Sequence, residues 1–153
     1  MNIFLDVDGV LLPMGLSDAW TDWTTYDGVG TASVAMGDAL SPAVGKITWA
    51  TTWLDLANKH ISPIFGWGEL PVVSRREEIV WWKLEAIRRT HPLRQPLVWV
   101  DDEIDQRNGE TRGWVRSAIA ELTDTHLLIC PDSFVGLTPK HVDRILAFVD
   151  THQ

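Results

Sequence analysis

Several features are scarce or missing in this sequence of 153 residues, and each one excludes a class of protein. Cys130 is the only cysteine, so no internal disulfide can form, and its apolar surroundings predict a buried free thiol in a reducing compartment. No apolar run approaches the length of a membrane span, and no early segment has the pattern of a secretion signal. A cytoplasmic protein without a membrane partner is therefore expected.

Basic residues are scarce too. The chain has 13 Lys and Arg against 21 Asp and Glu, which gives a formal net charge of −8. Stable nucleic-acid binding is not expected, because it depends on clustered basic side chains that meet the phosphate backbone. Nine of the basic residues lie between Arg75 and Arg116, however, and this uneven distribution fits a local basic rim around a site for an anionic substrate.

Five short apolar runs predict the strands of a sheet. They are too short for buried helices, and segments with helical spacing separate most of them, as the crossovers of a parallel sheet require. The sequence therefore predicts an α/β fold, a three-layer, doubly wound (Rossmann-like) parallel sheet of about five strands. The runs are Asn2–Leu5, Lys46–Ala50, Leu70–Val73, Leu97–Val100 and Leu127–Cys130.

Four segments have the apolar spacing of helices that face a core. The last of them has Thr138 as a cap residue and Pro139 in its first turn. Another begins at Ser74, whose third following residue is Glu77, the pattern of a capping box. The segments are Trp53–His60, the one from Ser74 through Ala86, Arg112–Leu122 and Thr138–Val149.

Reactive side chains follow three of the predicted strands. The carboxyl ends of parallel strands lie along one edge of a sheet, so these side chains are expected to converge. Four carboxylates gathered there would repel one another, and a bound cation would relieve that repulsion. Oxygen ligands without a cluster of His or Cys favour Mg²⁺. The side chains are Asp6 with Asp8, Thr51 with Thr52, and Asp101 with Asp102.

Four short motifs resemble those of the haloacid dehalogenase-like (HAD-like) phosphohydrolases, in the chain order of that superfamily. They are IFLDVDGVLL at 3–12, Thr51 at the end of ITWAT, Lys83 in WWKLEA, and LVWVDDE at 97–103. The resemblance covers about residues 3–105. It implies a magnesium-dependent phosphatase that cleaves a phosphomonoester through an aspartyl-phosphate intermediate.

The resemblance also implies four catalytic residues. Asp6 would be the nucleophile that attacks the phosphoryl group. Asp8 would act as general acid and base, protonating the leaving oxygen and then taking a proton from the attacking water. Thr51 would donate a hydrogen bond to a phosphate oxygen, and Lys83 would neutralise the developing charge and keep Asp6 ionised.

Substrate and metal contacts follow from the same resemblance. Gly9 would let the chain turn sharply beside the phosphate, and the amide of Thr52 would be a second donor to it. Asp101, Asp102 or both would bind Mg²⁺, together with the side chain of Asp6 and the carbonyl oxygen of Asp8.

No large cap domain is expected. The stretch from Asp8 to Thr51 is too short for a helical-bundle cap, and residues 13–40 are rich in Gly, Ser, Thr and Asp, which predicts a loop or flap. The chain is therefore interpreted as one domain of residues 1–153 with a flap insertion at about 13–40. An open site of this kind favours large substrates or closure by a partner subunit, so an oligomer remains compatible with the sequence.

Other functions also fit parts of the sequence. One is a nucleotide or nucleic-acid-end phosphatase that works within a repair complex, and another is a non-catalytic phosphate- or protein-binding module on the same fold. The phosphorylated partner would be a small molecule, a nucleotide or a nucleic-acid end. A calcium loop is excluded because Val10 stands where an oxygen ligand is needed. A nucleoside-triphosphate loop is excluded because Gly45-Lys46 lacks the earlier glycine and the following Ser or Thr.

Overall fold

The computed structural model describes residues 1–76, 79, 81–105 and 113–153, which form a mixed α/β structure. Four strands in these ranges make a parallel sheet, and two make a separate antiparallel hairpin. In chain order the strands are β1 (Asn2–Leu5), β2 (Trp23–Tyr26), β3 (Gly30–Ser33), β4 (Ile47–Trp49), β5 (Leu97–Val100) and β6 (His126–Ile129). The sheet has the order β4-β1-β5-β6, and the hairpin joins β2 to β3.

Five α-helices accompany the strands in the same ranges. They are α1 (Val34–Leu40), α2 (Leu56–His60), α3 (Trp82–Thr90), α4 (Trp114–Leu122) and α5 (Pro139–Thr151). Short 3-10 helices cover Ser41–Lys46 and Ser62–Phe65. None of the helices in the described part of the chain is long and apolar enough to cross a membrane.

Apolar side chains pack on both faces of the sheet. Ile3 and Leu5 of β1 belong to a buried cluster that also contains Met36 of α1 and Ile145 of α5. Phe4, which lies between them, belongs to a second cluster with residues of α3 and α4. Successive strand side chains point to opposite faces, so strands covered on both faces have continuous apolar sequences. The predicted α/β class with a parallel sheet is confirmed.

The central strand β1 aligns the strand ends that lead to the reactive residues. Leu5, its last residue, lies opposite Trp49 of β4 and Val100 of β5. Because the three strands are parallel, the chain leaves all of them at the same edge of the sheet. Asp6 and Asp101 therefore emerge side by side.

The predicted strand at Leu70–Val73 is not a strand in the structure. Only Val72 pairs, in an isolated parallel bridge with Trp49, and Val73 N–H donates to the carbonyl oxygen of Trp49 at 2.9 Å. Pro71 has no N–H to continue a ladder, which confines the segment to this single contact beside β4. The described sheet has four strands where about five were predicted.

Residues 13–40 contain more regular structure than the predicted loop or flap. The hairpin of β2 and β3 leads directly into α1, which buries Met36 and Leu40 in the core. Ser33 caps this helix by accepting a hydrogen bond from Met36 N–H at 3.1 Å. The parallel strands β1 and β4 need a crossover between them, and α1 lies in that crossover.

Helix boundaries differ from the prediction at three of the four helical segments. The helix expected from Ser74 begins at Trp82, and Glu77 of the predicted capping box lies outside the described residues. Helix α2 begins at Leu56 instead of Trp53. Helix α4 begins at Trp114, and Arg112, the predicted start, is outside the described ranges.

Helix α5 begins as predicted. Pro139 is in its first turn, and the Thr138 hydroxyl accepts a hydrogen bond from His141 N–H at 3.3 Å. The predicted burial of the thiol is only partly met, since Cys130 is half-buried and its Sγ lies 3.4 Å from the carbonyl oxygen of Asp102.

Candidate functional site

A cleft of about 300 Å³ opens at the carboxyl edge of the parallel sheet. Its polar lining comes from the ends of β1 and β5, from the turn after β4 and from the first turn of α3. Its apolar lining includes the exposed Met14 and three tryptophans. The polar residues are Asp6, Asp8, Thr52, Lys83, Asp101, Asp102 and Glu103.

Asp6 is fixed by the backbone at the end of β1. Its N–H continues the ladder and donates to the carbonyl oxygen of Val100 at 3.0 Å. Its Oδ1 accepts a hydrogen bond from Val7 N–H at 2.8 Å, and the residue is only 4% exposed. One carboxylate oxygen is thus held by the backbone while the other faces α3.

Lys83 joins the ends of β1 and β5. Its Nζ lies 3.1 Å from Asp6 Oδ2 and 2.8 Å from Asp101 Oδ2, and its side chain is 12% exposed. The backbone fixes Asp101 as well, since its N–H donates to Ile129 and its Oδ1 accepts from Glu103 N–H at 2.9 Å. The structure therefore brings the predicted nucleophile, the predicted lysine and one of the predicted metal ligands into direct contact.

The electrostatics of this cluster show an excess of buried negative charge. Burial raises the pKa of Asp6 well above its usual value, the nearby charge of Asp101 raises it further, and Lys83 opposes both effects. Burial alone would lower the pKa of Lys83, but the carboxylates of Asp101 and Asp6 outweigh burial and raise it. Burial also raises the pKa of Asp102. Lys83 therefore stays charged, and the remaining excess needs a proton or a cation.

Three carboxylates are close enough to hold one metal ion. One oxygen each from Asp6, Asp101 and Asp102 lies within 4.8 Å of the others. All three donors are hard oxygens, which is the chemistry that Mg²⁺ prefers. The side chain of Asp8 is not in this set, and its predicted contribution was through its carbonyl oxygen.

Gly9 allows the first loop to approach the acidic pair closely. Its φ is 72°, and a Cβ at this position would collide with Asp102 Oδ2. Three successive amides after it, those of Val10, Leu11 and Leu12, donate to the carbonyl oxygen of Val7 at 3.2, 2.9 and 3.1 Å. The glycine predicted to turn beside the phosphate thus lies against a candidate metal ligand.

The two threonines after β4 have different environments. Thr51 is fully buried, its hydroxyl accepts a hydrogen bond from Trp53 N–H at 3.2 Å, and it does not line the cleft. Thr52 is exposed and does line the cleft. The structure therefore brings Thr52 to the cleft surface with Lys83 and the carboxylates, and keeps Thr51 beneath it.

Sequence reasoning missed Trp53 and Glu103. The indole Nε1 of Trp53 donates to Asp8 Oδ2 at 3.1 Å, which fastens the turn after β4 to the loop after β1. Glu103 lines the cleft next to the acidic pair, and burial, followed by the charge of Asp101, raises its pKa. The continuation of Asp101-Asp102 into a third acidic residue was a visible signal for Glu103, whereas no sequence pattern pointed to Trp53.

A comparison with protein-family models, curated proteins and solved structures found no match for this chain. The resemblance to the haloacid dehalogenase-like motifs therefore stays a prediction.

Proposed function

We propose that this protein is a magnesium-dependent phosphohydrolase of the haloacid dehalogenase-like kind, which cleaves a phosphomonoester through an aspartyl-phosphate on Asp6. The contact of the buried Asp6 carboxylate with Lys83 Nζ at 3.1 Å, beside the carboxylates of Asp101 and Asp102, is the observation that carries the proposal. The parallel sheet supports the corresponding three-layer, doubly wound architecture.

Asp6 has the properties of a nucleophile held ready for attack. In the first step its carboxylate oxygen forms a bond to phosphorus while the bond from phosphorus to the leaving oxygen breaks. Burial would favour the unreactive protonated form, and the ammonium group of Lys83 counters this tendency. Lys83 is also placed to attract the negative charge of the transferred phosphoryl group.

Asp8 supplies the proton transfers. In its protonated form it gives a proton to the leaving oxygen, and as a carboxylate it then takes one from the water that attacks the aspartyl-phosphate. These steps release inorganic phosphate and restore the carboxylate of Asp6. Mg²⁺ bound by Asp6, Asp101 and Asp102 would supply charge neutralisation and orientation of the phosphate.

A nucleotide or nucleic-acid-end phosphatase is a second candidate, favoured by the aromatic lining of the cleft. Trp81 is half-buried and lines the cleft beside the carboxylates. Aromatic faces of this kind can stack on a base whose phosphate reaches Asp6. The reaction at phosphorus would be the same.

The proposal is tested by hydrolysis of phosphomonoesters, from aryl phosphates to nucleotides and 3′- or 5′-phosphorylated oligonucleotides. We expect activity that requires Mg²⁺ and disappears in Asp6→Asn, which keeps the size of the side chain but removes the nucleophile. Asp38→Asn, an exposed position on α1, is the matched control and should retain full activity. Acid-quenched protein should carry a hydroxylamine-sensitive phosphoryl group only when Asp6 is present.

The same experiment separates an enzyme from a binding module. If the unmodified chain hydrolyses none of these esters yet binds inorganic phosphate, the phosphatase proposal is wrong, and the protein is a non-catalytic phosphate-binding module. Equal hydrolysis by the unmodified chain and Asp6→Asn would also refute the proposed nucleophile.

A further inference from the structure

One residue outside the recognised motifs connects two residues of the proposed site. Trp53 donates its indole N–H to Asp8 Oδ2 at 3.1 Å and its backbone N–H to the Thr51 hydroxyl at 3.2 Å. Within the part of the chain that the structure describes, this indole is the only hydrogen-bond donor that reaches the Asp8 side chain. The indole N–H is therefore in position to orient the Asp8 carboxylate.

The turn after β4 holds this tryptophan in place. The next residue, Leu54, has φ of 51°, a left-handed conformation that is uncommon for residues other than glycine. The carbonyl oxygen of Trp53 accepts a hydrogen bond from Leu56 N–H at 3.0 Å, and its ring meets His60 of α2 at 6.2 Å between centroids. The indole is thus supported by the backbone on one side and by α2 on the other.

We infer that Trp53 is a positioning residue for Asp8, and this inference rests on the proposed phosphatase function. An indole N–H can only donate, so its partner oxygen Oδ2 is kept as an acceptor. The other oxygen, Oδ1, is then the one that carries the transferable proton and points to the leaving group. Trp53 acts through Asp8 and touches no reacting atom.

The proton transfer to the leaving oxygen determines which substrates should be affected by loss of the indole N–H. When the phosphorus–oxygen bond breaks, its electron pair goes to the leaving oxygen, and Oδ1 of Asp8 supplies the proton that neutralises it. A leaving group that is stable as an anion departs without this proton, whereas a poor leaving group needs it. Loss of the indole N–H should therefore harm poor substrates selectively.

The test compares phenyl phosphate, which has a poor leaving group, with 2,4-dinitrophenyl phosphate, which has a good one. The variable measured is kcat/KM, because it covers the steps up to departure of the leaving group and excludes the later hydrolysis of the aspartyl-phosphate. For Trp53→Phe we expect a decrease of about 10- to 100-fold with phenyl phosphate. With 2,4-dinitrophenyl phosphate the decrease should stay below about threefold.

Trp20→Phe is the matched control. Trp20 is also half-buried against the same core cluster, and its indole also donates a hydrogen bond, to the carbonyl oxygen of Leu137 at 2.8 Å, but it does not line the cleft. This variant should leave the ratio of the two kcat/KM values unchanged. Asp8→Asn should reproduce the selectivity of Trp53→Phe and exceed it in size.

Two results would overturn the inference while leaving the proposed function intact. An equal decrease with both esters would mean that Trp53 supports the fold of the cleft only, and no decrease would mean that Asp8 is oriented without it. If Trp53→Phe does not fold, benzothienylalanine at position 53 keeps the fused ring and replaces the N–H by sulfur, and the same ratio decides. A lack of Asp6-dependent hydrolysis by the unmodified chain would instead refute the proposed function, and the inference with it.

Discussion

Replacement of Lys83 by methionine should destabilise the protein strongly. The ammonium group lies between two carboxylates whose side chains are 6% and 2% exposed, and its own side chain is 12% exposed. Removal of one partner from a buried ion pair costs about 3–5 kcal/mol, because the remaining charge keeps its desolvation penalty without compensation. Either carboxylate can take up a proton instead, so we expect the lower end, a decrease of about 3 kcal/mol in the free energy of unfolding at pH 7.

The stability deficit of Lys83→Met should be smaller at pH 5 than at pH 7. In the folded chain the pKa of Asp6 is already raised above the ordinary 3.8, chiefly by burial, and Lys83 is one of the groups that lower it. Without Lys83 the folded-state pKa rises further while the unfolded value is unchanged. The folded variant then binds a proton that the unfolded chain does not, so its stability increases as the pH falls from the folded-state pKa toward the unfolded one.

The assay is urea unfolding without added metal at pH 7 and pH 5, followed by the fluorescence of the nine tryptophans. In thermal unfolding the same loss corresponds to a midpoint about 6–12 °C lower at pH 7 for a chain of this size. Lys59→Met, at an exposed position of α2, should stay within about 0.5 kcal/mol of the unmodified chain. A similarly small effect for Lys83→Met would refute the buried ion pair, and a deficit that grows at pH 5 would refute the assigned electrostatics.

Three further predictions concern the acidic cluster and the last helix. Gly9→Ala should lower the free energy of unfolding by more than the roughly 1–2 kcal/mol that a left-handed alanine costs, because the new Cβ would collide with Asp102. Gly28→Ala isolates the backbone cost, since Gly28 has φ of 70° and a Cβ there would have no atom within 4 Å. Equal losses in the two variants would contradict the close approach of Gly9 to Asp102. Asp102→Asn should weaken Mg²⁺ binding at least tenfold in calorimetric titration, while the exposed Asp143→Asn should not; unchanged affinity would remove Asp102 from the metal site. Thr138→Ala should cost about 1 kcal/mol in urea unfolding through loss of its capping bond, and no change would show that the bond contributes nothing.

The sequence predicted those parts of the fold whose signals are local. Helix α5 begins where Thr138 and Pro139 indicate, because a cap and a proline in the first turn act on the neighbouring backbone alone. The apolar run before Asp6 became β1, since a short buried strand needs little beyond continuous apolar side chains. Asp6 and Asp101 each follow such a strand, and because the two strands are parallel neighbours, the two residues lie side by side.

The remaining features depend on contacts that no local pattern records. Leu70–Val73 has the composition of a strand, but the missing N–H of Pro71 and the position beside β4 limit it to one bridge. Which of Thr51 and Thr52 faces the cleft depends on the direction of the chain after β4. The sequence does not decide it, because the two residues are identical. Trp53 reaches Asp8 through a turn in which Leu54 is left-handed, a conformation that its residue type disfavours.

The same burial that makes the acidic cluster costly for the fold makes it useful for the proposed reaction. In water a carboxylate is well solvated and attacks a phosphate anion poorly, whereas the Asp6 carboxylate has exchanged most of that water for Lys83 and the backbone N–H of Val7. Burial, with the charge of Asp101, raises its pKa, so the charged form is disfavoured without further positive charge. A cation at Asp101 and Asp102 would stabilise the ionised nucleophile and the folded chain together, so metal affinity, stability and activity should be altered by the same substitutions.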